Sequence, residues 1–146
     1  MQILVDADAC PVKDIIVKIA KQHKLRVTMV VDTSHELSDG YSSVITVDKA
    51  KNSVDIALIN MVKAGDIVVT QDYGVALMAL GRKAIPVSPN GFIYTNDNIE
   101  ILLFERHIGQ KIRRSGGRVS GPKKRSKEDD ERFEKVLRKL CESNQS

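Results

Sequence analysis

Short apolar runs alternate along this chain with longer segments in which apolar residues recur every three or four positions. Ile3 to Val5, Leu25 to Val31, Ser43 to Val47, Asp66 to Thr70 and Ala84 to Val87 have the length and composition of buried strands. Between them, Val12, Ile15, Ile16, Ile19 and Ala20 repeat with helical spacing, and Pro11 suits the first turn of that helix. A second helix is predicted from Ser53, carried by Ile56, Ile59 and Val62, with Lys63 in its last turn and Gly65 as its stop. Val75 to Leu80 predicts a third, ending at Gly81. Asn98 to Lys111 predicts a fourth on Ile99, Leu102, Leu103 and Arg106, with Gly109 as a candidate early end. Lys127 to Glu142 predicts a last amphipathic helix with Phe133, Val136, Leu137 and Leu140 on one face. Ser126 and the acidic run Glu128 to Glu131 suit its start. Pro86 points to an edge position for the fifth strand, and Phe92 to Tyr94 predicts a small extra strand.

This rhythm predicts an α/β fold, a three-layer sandwich with a central, mainly parallel sheet flanked by helices. With 146 residues, the expectation is one domain over 1–146, with a basic flexible segment at about 113–127, linker-like from roughly Ser115 to Ser126, and the last helix at about 127–142. No apolar stretch reaches membrane-spanning length, and the amino terminus does not read as a secretory signal. Cys10 and Cys141 lie far apart and have no ligand-like spacing, so the simplest expectation is a cytoplasmic chain with reduced thiols.

The net charge of +4 is unevenly placed. Arg106, Lys111, Arg113, Arg114, Arg118, Lys123, Lys124, Arg125 and Lys127 fall in one stretch without an acidic residue, interleaved with Gly116, Gly117, Gly121 and Pro122. Such a segment suits a phosphate backbone; its bland reading is a solvated loop. Three Phe, three Tyr and no Trp give no obvious stacking platform, so phosphate contacts are expected to outweigh base readout.

The candidate chemistry is acidic. Asp6 and Asp8 end the first strand, and Asp72 follows the fourth by two residues. Parallel strands end at one edge, and Asp55, in the first turn of a crossover helix, returns to that same edge. Thr70 ends the fourth strand beside them. Clustered carboxylates repel unless a cation or proton intervenes, and oxygen donors suit Mg²⁺ or Mn²⁺. Each residue also has a structural reading: Asp72 as a helix cap, Asp55 against a helix dipole, Asp8 as a turn acceptor. Asp32 and Asp48 also follow strands, and Asp97 suits a helix start. His23, His35 and His107 are scattered, and Cys10, though near a helix start, has no evident partner base. Ser88, Asn90 and Gly91 follow the fifth strand; a turn is their first reading.

VDADACPVK (5–13), VVTQDYGVALMAL (68–80) and RRSGGRVSGPKKRSKEDDERFEKVL (113–137) resemble the YaiI/YqxD family of bacterial proteins over nearly the whole chain. That family is similar to the PIN-like nuclease superfamily, which has a central parallel sheet and an acidic metal site. The resemblance implies that Asp6 matches the first-strand acid and Asp55 the acid on the middle helix, often Glu elsewhere. It implies that Asp72 matches the acid after the fourth strand, with Thr70 as its upstream hydroxyl, and Asp8 the additional acid of the DAD motif.

The expected activity is metal-dependent hydrolysis of phosphodiester bonds, in RNA first of all. Asp6, Asp8, Asp55 and Asp72 would hold metal, and Lys111, Arg113, Arg114, Arg118, Lys123, Lys124 and Arg125 would hold nucleic acid. Alternative readings are a non-catalytic RNA-binding module on the same fold and a haloacid-dehalogenase-like phosphatase with Asp6 as nucleophile. A receiver-like domain with Asp48 as phosphoacceptor lacks the Lys expected after the fifth strand, where Ser88 stands.

Overall fold

The computed structural model describes residues 1–32, 38–48, 53–118 and 124–143. Five strands appear where the apolar runs predict them: β1 (Gln2–Asp6), β2 (Arg26–Asp32), β3 (Ser43–Val47), β4 (Ile67–Val69) and β5 (Ile85–Val87). They form one sheet in the order β3-β2-β1-β4-β5, with all pairings parallel. Pro86 lies on the edge strand, as a residue without an N–H should. The extra strand at 92–94 reduces to a single antiparallel bridge between Val87 and Ile93.

The two faces of the sheet separate by residue parity. Ile3 and Val5 of β1, with Ile67 and Val69 of β4, pack against α1 (Lys13–His23) and α5 (Lys127–Ser143). Phe133, Leu137 and Cys141 of α5 are fully buried in this layer, and Val136 and Leu140 pack at its margin. Leu4 and Val68 face the other way, toward α2 (Val54–Met61) and α3 (Tyr73–Gly81). A third cluster of Ala76, Tyr94 and Ile99 seats α4 (Asn96–Arg114) on α3. Since side chains alternate along a strand, Asp6 and Thr70 belong to the α2/α3 face.

Several element ends differ from expectation. Pro11 lies in the turn before α1, which begins at Lys13. Ser53 does cap α2, accepting from the Ile56 N–H at 3.2 Å. That helix stops at Met61, however, because Val62 turns extended to bury its side chain; Lys63 and Gly65 form the turn into β4. α4 runs through Gly109 to Arg114, started by a reciprocal capping box between Thr95 and Asn98. Its true stop is Gly116, at φ +86°. The Gly116 N–H reaches Arg113 O, and the Gly117 N–H reaches Ile112 O at 2.8 Å, a Schellman closure that needs the left-handed residue. Ser126 and Asp129 cap α5 reciprocally.

Among the described residues, no helix is long and apolar enough to cross a membrane.

Gly109 is buried in mid-helix, yet an added Cβ would meet only Arg113 Nη1, at 3.9 Å. Gly109→Ala is therefore expected to stabilise the fold by about 1 kcal/mol, read from chemical denaturation. An unchanged or lowered midpoint would contradict this account of α4.

Candidate functional site at the carboxyl edge of the sheet

The strand order reverses between β1 and β4: β2 and β3 lie to one side of this point, β5 to the other. In open parallel sheets, the crevice beyond the carboxyl ends at such a reversal is where ligands are held. β1 leaves the sheet there through Asp6, and β4 leaves it through Thr70.

Val5 pairs with Val69, so the next residues on each strand, Asp6 and Thr70, stand side by side. The buried Thr70 hydroxyl donates to Asp6 Oδ2 at 3.1 Å and accepts from the Asp72 N–H at 3.0 Å. One hydroxyl thus locks the first-strand acid to the turn that carries the second. Asp72 caps α3, with Oδ1 accepting from the N–H groups of Gly74 at 2.7 Å and Val75 at 3.2 Å. Its structural reading is therefore realised, while it also lines the same cleft as Asp6.

Asp8 is oriented by the chain too, accepting from the Asp32 N–H at 3.1 Å across the β1–β2 junction. It shares a small recess with Asp6, Cys10 and Gln71. Asp55 sits in the first turn of α2, half-buried. Its charge acts on Asp6, and that of Asp72 acts on it, so the helix does return to this edge.

The electrostatics record the crowding. Burial raises the Asp6 carboxyl above its ordinary value; the Thr70 hydroxyl pulls it down, and the charges of Asp55, Asp72 and Asp8 push it up again. Burial and then Asp72 raise Asp55. In this conformation no three His, Cys, Asp or Glu side chains among the described residues gather closely enough to hold one metal ion. The acids share an edge and a field without a preformed cage.

The cleft holding Asp6 and Asp72 has a volume of about 660 Å³. Its far wall is the inner face of α4: Leu102, Glu105, Arg106, Gly109 and Arg113. Glu105 and Arg106 are members of this site that sequence reasoning did not assign to it. Their signal was the helical spacing of Leu102, Arg106, Gly109 and Arg113, which puts these residues on one face once Gly109 is allowed inside the helix.

The basic segment divides. Lys111, Arg113 and Arg114 form the exposed last turn of α4, and Arg118 and Lys124 are exposed beyond it. Arg125 is engaged structurally, with Nε on Asp130 Oδ1 at 2.7 Å, Nη1 on Asn90 Oδ1 at 2.7 Å and Nη2 on Pro89 O at 2.8 Å. It ties the start of α5 to the turn after β5, where Ser88 Oγ accepts from the N–H groups of Asn90 and Phe92. Lys123 and His35 lie outside the described residues.

Cys10 and Cys141 are both buried free thiols. Burial raises both, Cys141 to about 11, which suits packing rather than nucleophilic attack. Asp48 follows β3, which β2 separates from β1, so the receiver-like arrangement is not built.

Fold and edge together define an α/β protein with an all-parallel five-stranded sheet and an acidic crevice at its switch point. Residues 4–143 match the family model described as "Uncharacterized BCR, YaiI/YqxD family", and the chain belongs to that family. The UPF0178 protein of Ruminiclostridium cellulolyticum is 69% identical over 137 residues, covering 94% of this chain and 90% of the relative. That of Lachnoclostridium phytofermentans is 55% identical over 146 residues, covering 98% of each. That of Clostridium kluyveri is 53% identical over 140 residues, covering 96% and 92%. Among solved structures, Rae1 (YacP) from Bacillus subtilis is similar over 98% of this chain and 99% of that one, with 19% identity and a TM-score of 0.39. That likeness is too distant to carry a reading of activity.

The folded chain holds the Asp6 proton more tightly than the unfolded chain does. Asp6 therefore contributes stability that is fully present below the ordinary value of 3.8 and lost as pH rises through the raised one. Asp6→Asn keeps an acceptor for Thr70 and removes the charge. It is expected to raise the urea midpoint at pH 7, with a gain that vanishes below about pH 4. A gain undiminished at low pH would show that charge is not its source.

Proposed function

We propose that this protein is a PIN-like, metal-dependent nuclease that hydrolyses phosphodiester bonds in RNA at the carboxyl edge of β1 and β4. The carrying observation is the single cleft in which Asp6 and Asp72 face Arg106 and Arg113. Asp6 and Asp72 on one side, with Arg106 and Arg113 beside Glu105 on the α4 side, suit a substrate that needs both a cation and direct phosphate contacts.

The donor set fits a hard divalent ion. It is all oxygen, and the carboxylate repulsion that adds to burial in raising Asp6 and Asp55 is what a cation would relieve. Asp6, Asp8, Asp55 and Asp72 would hold Mg²⁺ or Mn²⁺ directly or through water, after side-chain movement from the positions described. Such an ion, when bound, would supply Lewis acidity toward a phosphate oxygen and would lower the pKa of water.

The remaining work belongs to this chain's residues. Thr70 fixes the orientation of Asp6 and the turn of Asp72. Arg106 and Arg113 offer planar, charged donors to non-bridging phosphate oxygens. Lys111, Arg114, Arg118 and Lys124 extend the positive surface along the strand, where contacts are independent of sequence.

The test is a cleavage assay on RNA and DNA with Mn²⁺ or Mg²⁺. The parent protein is expected to cut RNA; Asp6→Asn and Asp72→Asn reduce cutting to background while RNA binding survives. Arg106→Ala and Arg113→Ala weaken binding and lower its salt dependence by about one ion each. Cutting that persists in Asp6→Asn would overturn the proposal, as would a parent protein inert on every substrate.

A further inference from the structure

Only six aromatic rings occur in this chain, and three of them meet beside the acidic edge. The Tyr73 and Tyr94 rings pack edge-to-face, with centroids 5.9 Å apart at 65°, and Phe92 and Tyr94 do so at 5.5 Å and 77°. Tyr94 is the fixed post: it is buried, and its hydroxyl is directed at Thr70 O at 3.4 Å. Phe92 is 44% exposed. These rings line a second cleft of about 580 Å³, within the usual range for a small-molecule site. Gln71 and Tyr73 line this cleft as well as the acidic one, so the two adjoin.

From this juxtaposition we infer that the aromatic cleft is a nucleobase subsite, holding one unstacked base of a single strand whose phosphate lies at the acidic edge. The inference rests on the nuclease reading for the position of the phosphate. A nucleobase presents a π-face and a polar rim, and the cleft answers both. Phe92 and Tyr73 offer ring surface. Gln71 turns its Nε2 toward Ala9 O at 3.4 Å and so presents Oε1 as an acceptor. Arg125 donates to Asn90 Oδ1 at 2.7 Å, which leaves the Asn90 amide nitrogen as the donor it offers. An acceptor and a donor beside an exposed ring suit the edge of a flipped-out base. A base within a duplex cannot enter such a recess, so the subsite selects single-stranded substrate. Stacking on a ring tolerates every base, and the two amides supply only a modest preference among them.

The experiment measures the affinity of the full-length protein, in chelator to prevent cutting, for a short single-stranded RNA and for an abasic chain of equal length. The base-bearing strand is expected to bind about tenfold tighter or better. Phe92→Ala removes that advantage and leaves the abasic affinity unchanged. Phe92→Leu, which keeps apolar bulk against Tyr94, loses most of it, and an unaltered unfolding midpoint in Phe92→Leu separates the effect from misfolding. Equal affinity of the parent for both strands would overturn the inference, as would base preference intact in both variants. Neither result involves cleavage, so the subsite and the nuclease reading fail separately.

Discussion

The pairing of β1 with β4 is the constraint on which the rest of this structure depends. Residues more than sixty positions apart become neighbours because Val5 registers with Val69. That register places Asp6 against the Thr70 hydroxyl, and the same hydroxyl holds the Asp72 turn. Slipping one strand by a single residue would turn Asp6 into the α1/α5 layer, among Ile16, Phe133 and Leu137. The apolar pattern that fixes the core therefore also fixes the acids.

The aspartates show how structural and chemical roles coexist. Asp66, at the opposite end of β4, is buried and accepts from the backbone of Gln2 and Lys63 and from the Gln2 side chain. Its surroundings supply donors to the carboxylate, which is how a structural acid is accommodated. Asp72 and Asp8 are oriented by backbone N–H groups at the crevice, and Asp6 by one hydroxyl. Asp6 also lies in the field of three other carboxylates. Carboxylate repulsion collected at the switch point of the sheet is what supports the proposed cation site.

Much of this was legible in the sequence because strands and helices here differ sharply in period. All five strands and the edge position of Pro86 follow from apolar runs and breakers. The acidic edge follows from geometry alone, since parallel strands end together. Helix ends were less legible where glycine had two readings. Gly109 looks like a stop but is a tolerated interior residue, whereas Gly116 has the left-handed conformation that closes α4. Of the α4 residues that line the acidic cleft, Glu105 and Arg106 precede Gly109, and the place of Arg113 depends on the helix continuing through that glycine. Arg125 was grouped with its basic neighbours by charge, while its contacts to Asn90, Pro89 and Asp130 depend on tertiary placement. The aromatic cluster was equally invisible, because it unites residues from α3 and the turn after β5.

The central claim is that acids from separate elements act on one another through space at this edge. An NMR titration of the Asp6 side-chain carboxyl carbon tests it most directly, recorded in the parent chain, in Asp72→Asn and with saturating Mg²⁺. The account predicts a midpoint above the ordinary Asp range in the parent, lowered by Asp72→Asn and lowered further by the cation. An Asp6 that titrates at an ordinary value and responds to neither change would contradict it.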